Sequence, residues 1–166
     1  MSDLQQFQTE TRQWLEANCP MSLRTPTPDG ELIWGGREPN FTFDDQRVWF
    51  ERMRDKNWFC PTWSTEYGGA CLTPKENSIL EKEMRKIKCR PPQINLGIWM
   101  LGPVLLEHGS EAQKQQFLKP MARGEVRWCQ GFSEPNAGSD LASLRTSAVD
   151  MGDHYLVNGS KIWTSY

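Results

Sequence analysis

Residues Arg127–Tyr166 read R-W-C-Q-G-F-S-E-P-N-A-G-S-D-L-A-S-L-R-T-S-A-V-D-M-G-D-H-Y-L-V-N-G-S-K-I-W-T-S-Y. Glu134-Pro135-Asn136-Ala137-Gly138-Ser139-Asp140 is a turn cluster, in which Pro135 fixes φ and Gly138 permits a positive one. From Thr146 to Asp150 polar and apolar residues alternate, the period of a half-exposed strand. Met151-Gly152-Asp153 turns it, and His154–Val157 returns as a second strand. Asn158-Gly159 then carries the strongest short hairpin signal, which makes Lys161–Ser165 a third strand.

Upstream, the period changes to that of helices. Ser2 with Gln5 forms a capping box for a first helix whose Leu4, Phe7, Trp14 and Leu15 share a face, and which stops near Asn18 before Pro20. Residues 19–41 hold Pro20, Pro26, Pro28, Gly30, Gly35, Gly36 and Pro39, a long irregular connection that is either a functional loop or mobile. Thr42, with Asp45 at the capping-box position, starts a second helix facing inward through Val48, Trp49 and Met53 and ending by Asn57. Thr73-Pro74-Lys75-Glu76 combines an N-cap, Pro at the first position and Glu at the third, and Ile79, Leu80, Met84 and Ile87 form the inner stripe of that helix. Ile94–His108 is apolar on every side, the pattern of a central buried helix. Ser110 and Gln113 cap the next helix, with Phe117, Leu118 and Met121 on its core face and Gly124 after its last turn. The expected fold is therefore α+β: an N-terminal all-α helical bundle over 1–126, followed over 127–166 by the first strands of a truncated β-barrel-like domain.

The chain has 166 residues, enough for one sizeable core, and a net charge of −2 with both signs interspersed, so no basic stripe for nucleic acid and no polybasic membrane patch is present. Eight Trp suit a packed helical domain or a site for a flat aromatic ligand. Five Cys, an odd number with no C-x-x-C pair, point to a reducing compartment and away from zinc. The N-terminus shows no signal or transit character, and the apolar run Leu96–Leu106 is too short to span a bilayer and is broken by Gly102-Pro103, so a cytoplasmic location is expected.

Ser133-Glu134-Pro135, Ala137-Gly138-Ser139-Asp140, Thr146, Gly152-Asp153, Tyr155, Asn158-Gly159, Lys161 and Trp163-Thr164-Ser165 form an ordered set. Together with the tract Glu66-Tyr67-Gly68-Gly69-Ala70 it resembles the acyl-CoA dehydrogenase family over nearly the whole chain. Cys71 departs from the pattern, standing where Gly is usual, and a left-handed backbone there would cost about 1 kcal/mol. Residues 19–41 resemble an insertion seen in branches that handle bulky or dicarboxylic acyl groups.

The resemblance implies FAD as cofactor, an acyl-CoA thioester as substrate, and oxidation to the trans-2-enoyl-CoA in fatty acid or other lipid metabolism. It also implies an electron-transfer flavoprotein as electron acceptor and a homo-oligomer, dimeric or tetrameric. By matched position, Gln130, Phe132 and Ser133 resemble the segment at the flavin pyrimidine edge, and Gly138 with Ser139 the residues near the FAD pyrophosphate. Ser139 also neighbours the pantetheine arm of the substrate. Trp163 resembles the aromatic against the flavin face, while Thr164 and Ser165 lie along that wall, the Ser165 hydroxyl toward flavin N5. A flavin asks for these groups: backbone donors, contacts for its phosphates and a flat apolar surface. The family's carboxylate base belongs to a C-terminal helical domain, so no catalytic residue is expected in this chain. Glu134 matches a different family position.

Other chemistries find little support. His108 sits at a helix end, where contact with the dipole is the simpler role, and His154 follows a tight turn in solvent. Two distant His without an Asp–His–Ser order do not make a hydrolase, and neither a dinucleotide nor a P-loop glycine pattern occurs. Lys82, Arg85, Lys86, Lys88 and Arg90 mix with Glu81 and Glu83 as a solvated helix face. Two alternatives stay open: a non-catalytic module that binds acyl-CoA or a partner subunit, and a flavin monooxygenase or nitroalkane oxidase on the same scaffold.

Overall fold

The computed structural model describes residues 3–164. Five α-helices precede a two-stranded antiparallel sheet: α1 Asp3–Asn18, α2 Asp44–Asp55, α3 Pro74–Lys86, α4 Gly102–His108, α5 Glu111–Ala122, β1 Ser147–Asp150 and β2 Tyr155–Asn158. The chain divides into two compact units at Arg127–Trp128.

In the helical unit, α1 packs along α3, and Leu15, Trp49, Met53, Leu80, Leu118 and Met121 are almost wholly buried. Trp49 donates its indole N–H to the Arg90 carbonyl at 3.1 Å, so the large ring enters the core without an orphaned donor. Trp14 stands edge-on to Trp58 with ring centroids 4.8 Å apart, and Lys56 lies 5.4 Å from both rings. The caps of α3 and α5 are reciprocal. Thr73 accepts from the Glu76 N–H while the Glu76 carboxylate takes the Thr73 N–H, and Ser110 and Gln113 repeat the pattern.

The cap expected for α2 is absent. Phe43 occupies the N-cap without a side-chain bond, and the Thr42 N–H goes instead to the buried Gln46 amide at 2.7 Å. The capping box expected from Ser2 lies outside the described residues. The third helix ends at Lys86, before the Pro91-Pro92 stop, because Lys88 takes φ +55 and the chain turns there. Cys71 does adopt a left-handed φ of +54, with its N–H bonded to the Trp63 carbonyl at 2.9 Å.

The connection over 19–41 is pinned rather than loose. Arg90 donates to the Thr25 carbonyl and hydroxyl and pairs with Glu31 at 2.5 Å, and the Ile94 N–H reaches the Ile33 carbonyl at 2.7 Å. Leu23 and Ile33 are buried with it.

Ile94–His108 is not a central buried helix. It is a π-helical turn, Gly97–Leu101, continued by α4, and only Leu96, Gly97 and Gly102 are buried in its apolar stretch. Trp99, Met100 and Val104 are exposed, and Leu101 and Leu105 half-buried. The reason is steric. A Cβ on Gly102 would lie 2.3 Å from the Trp63 ring, so the glycine side of the segment faces inward and the large side chains face out. Glu83 is a second correction. It is 1 % exposed rather than on a solvated face, held by Gln8, Arg12 and Lys86.

In the second unit, β1 and β2 pair in the register Ser147↔Asn158 through Asp150↔Tyr155. Met151–His154 makes the turn, with Gly152 at φ +97 and its N–H on the Asp150 carboxylate. Asn158-Gly159 is not a hairpin, and Lys161–Thr164 is not a third strand. A Cβ on Gly159 would lie 2.2 Å from the Thr146 hydroxyl, so glycine serves here for close approach of the two segments rather than for a turn. Gly138 does not occupy the left-handed region, and the space around it is open.

Candidate functional site

The second unit brings together two segments thirty residues apart in sequence. The Ile162 N–H bonds the Ser133 carbonyl at 2.9 Å, and the Lys161 ammonium reaches the Phe132 carbonyl at 3.1 Å. A Cβ placed on Gly131 would touch Lys161 and Thr164, so 130–133 runs beside 161–164. Gln130, Phe132, Ser133, Trp163 and Thr164 therefore share one locality. Ser165 lies outside the described residues. Phe132 is 63 % exposed and Trp163 84 %, two large aromatics standing free on this wall. Trp163 holds φ +54, a left-handed backbone that an aromatic residue adopts rarely.

Gly138 and Ser139 are exposed just beyond the turn that Glu134 and Ala137 close by exchanging backbone hydrogen bonds of 2.8 and 3.1 Å. Gly138 is therefore no anion nest built on a left-handed glycine. What it offers is open space.

Glu134 is the anchor of the unit. It is 7 % exposed and accepts the Arg145 N–H at 2.7 Å, the Thr146 N–H at 2.9 Å and the Lys161 ammonium at 2.9 Å. Hydrogen bonds from Thr146, from the Arg145 backbone and from Lys161 pull its carboxyl down to about 2. A group so committed is ionised and saturated at neutral pH. It fastens the turn to both segments and takes no proton from a substrate.

The candidate site residues meet the needs of a flavin in two respects. Among the described residues no acceptor is found for the backbone N–H of Phe132 or Ser133, the kind of donor a pyrimidine edge takes. The exposed Trp163 ring offers a flat apolar surface. Among the described residues no three His, Cys, Asp or Glu side chains cluster. Nor, among them, is any helix long and apolar enough to cross a membrane.

One feature escaped the sequence. A pocket of about 190 Å³ opens beside the 134–137 turn, lined by Asn136, Ser143, Arg145, Gly159 and Ser160 with Glu134 at its wall. Its lining sets the Arg145, Asn136, Ser143 and Ser160 side chains beside the Glu134 carboxylate. Nothing in linear order joins Asn136 to Arg145 or Ser160.

A family model described as acyl-CoA dehydrogenase, N-terminal domain, matches residues 2–125. The chain belongs to the acyl-CoA dehydrogenase family. Among curated proteins it is similar to the acyl-CoA dehydrogenase IpdE1 of Mycobacterium tuberculosis, 34% identical over 166 residues, which cover 99% of this chain and 42% of that one. Acyl-CoA dehydrogenase FadE29 of the same organism is 45% identical over 103 residues, 62% of this chain and 26% of the relative. Among solved structures, the Tcur3481-Tcur3483 steroid ACAD superposes with a TM-score of 0.64 at 31% identity, covering 98% of this chain and 39% of its own. The ChsE4-ChsE5 complex from Mycobacterium tuberculosis gives 0.63 at 29% identity, covering 99% and 39%. The chain spans about two fifths of the length of the first of these curated relatives.

Proposed function

We propose that this chain is the N-terminal portion of an FAD-dependent acyl-CoA dehydrogenase, with its helical domain over 1–126 and the opening of its β-domain over 127–166. The reaction is removal of two hydrogens from an acyl-CoA thioester to leave the trans-2-enoyl-CoA. The observation that carries the reading is the apposition of 130–133 with 161–164, which sets the Phe132–Ser133 backbone and an exposed Trp163 in one locality.

In this reading the Phe132 and Ser133 N–H groups and the Gln130 segment hold the pyrimidine edge of FAD. Ser139, beside the open backbone of Gly138, meets the pyrophosphate and the pantetheine arm. Trp163 covers the flavin face, with Thr164 and Ser165 next to it. When bound, the flavin supplies the acceptor for the hydride that leaves the acyl β-carbon. Arg145, Ser143 and Asn136 line a pocket that supplies donors for the phosphates of a CoA ester. No residue here is assigned as the α-proton base. Glu134 is excluded from that role by its three donors and its low pKa. Electrons then pass to an electron-transfer flavoprotein, and the active assembly is oligomeric, as the complex named for ChsE4 and ChsE5 is for those proteins.

For substrate, the similarity to a protein described as a steroid ACAD supports a bulky, ring-bearing acyl group, and the pinned 19–41 connection fits a branch with an enlarged acyl site. The test is to purify the full-length protein, record the flavin absorbance, and follow reduction of an artificial acceptor with straight-chain and steroid-side-chain CoA esters. Turnover of the ring-bearing esters with bound flavin is expected. A colourless protein that binds no FAD overturns the assignment, and turnover confined to short straight chains overturns the substrate class.

A further inference from the structure

We propose that Cys19 and Cys89 are a reversible redox pair, which closes to a disulfide when the protein meets a low-molecular-weight disulfide of the glutathione type. The two sulfurs are free thiols 3.0 Å apart, although 70 residues separate them in sequence. Disulfide formation needs about 1 Å of further approach. Neither residue lies within a helix. Cys19 follows α1, its N–H on the Leu15 carbonyl, and Cys89 follows α3, directly after the left-handed Lys88. The backbone can thus yield just past α1 and α3, at the expense of no more than the terminal bonds from Cys19 to Leu15 and from Cys89 to Met84.

Access and charge are arranged for the exchange. Cys19 is 3 % exposed, but Cys89 is half-buried and lines an open pocket of about 320 Å³ with Thr25, Pro26, Arg85, Lys88 and Arg90. Arg85 and Lys88 put positive charge at the mouth, which favours an anionic peptide disulfide over a neutral one. On the inner side, the Arg24 guanidinium holds the Cys19 carbonyl at 2.9 Å. The hydrogen bond from Cys89 and then Arg24 draw the Cys19 thiol below its ordinary range. The hydrogen bond to Cys19 and then burial push the Cys89 thiol up, so the first proton lost by the pair leaves Cys19 as the thiolate, with the Cys89 S–H donating to it across the 3.0 Å bridge.

The chemistry balances as two exchanges. Cys89, passing its proton across the bridge to the Cys19 thiolate, attacks one sulfur of the small disulfide and expels the other half as thiolate. Cys19, on losing that proton, attacks the Cys89 sulfur and expels the second half. The two protein thiols are oxidised, one small disulfide is reduced to two thiols, and the released protons accompany them.

The experiment treats the full-length reduced protein with oxidised glutathione, alkylates the remaining thiols, and maps the peptides by mass spectrometry. A peptide joining Cys19 to Cys89 is expected, reversed by dithiothreitol, while buried Cys60 stays alkylatable only after unfolding. In Cys19→Ser the resolving sulfur is gone, so glutathione is expected to remain on Cys89. A misfolded variant would instead expose Cys60 as well. The proposal is overturned if Cys19 and Cys89 are recovered as separate alkylated thiols while exposed Cys71 and Cys129 carry glutathione. It is equally overturned if the unsubstituted protein retains glutathione on Cys89 without the cross-link.

Discussion

Replacing Glu83 by Gln should cost the helical unit about 2 kcal/mol at neutral pH, a figure worked from how its carboxylate is held. The carboxylate is 1 % exposed and takes hydrogen bonds from Gln8 at 2.7 Å, Arg12 at 2.9 Å and Lys86 at 2.7 Å. The Arg12 hydrogen bond, then those of Gln8 and Lys86, overcome burial and pull the carboxyl from its ordinary 4.5 to about 2. That shift corresponds to about 3 kcal/mol of preference for the charged form. Arg12 and Lys86 are themselves 47% and 54% exposed, so solvent screens the pair and lowers the figure toward about 2 kcal/mol. The glutamine variant keeps the shape but brings an NH₂ donor among three donors. The sign with pH follows from the lowered folded value. The stabilisation is whole above the unfolded carboxyl range and is lost as pH falls through about 2, with more than half gone by about pH 3. Urea denaturation followed by fluorescence suits the measurement, because Trp14, Trp49 and Trp58 cluster in this unit. A Glu83→Gln variant within about 0.5 kcal/mol of the parent at pH 7, or a difference that does not shrink on acidification, would refute the reasoning.

Three further outcomes are expected. Gly69→Ala should lose about 3 kcal/mol by thermal denaturation, because the new Cβ would stand 2.2 Å from the Trp63 carbonyl oxygen, whereas Gly138→Ala should be neutral in its open surroundings. Burial pushes the Cys60 thiol to about 12, so a maleimide at pH 8 should label exposed Cys71 and leave Cys60 unmodified until the protein is unfolded. Trp163→Ala should leave the melting temperature almost unchanged, the ring being 84 % exposed, yet lower flavin retention and alter the flavin spectrum in the full-length protein; an unchanged spectrum would remove Trp163 from the cofactor wall.

The sequence by itself determined what neighbours in the chain decide between them. The capping boxes of α3 and α5 join residues three apart, so their spacing is their geometry. Gly152 stands in the turn between two short alternating runs, and the strands pair as that arrangement requires. The ordered motif set from Ser133 to Trp163 marked the family and the segments of the candidate site. The tertiary structure decided what depends on partners far away in sequence. Glu83 looks like one more charge on a wet helix until Arg12, 71 residues earlier, is laid against it. Asn158-Gly159 has the composition of a hairpin, but the approach of Thr146 makes its glycine a spacer. The apolar segment before His108 names no inward face, because hydrophobicity has no direction until Trp63 docks on Gly102 and leaves Trp99 and Val104 outside. Local rules act over three or four residues and are written in the sequence; burial is settled by whichever distant side chains arrive.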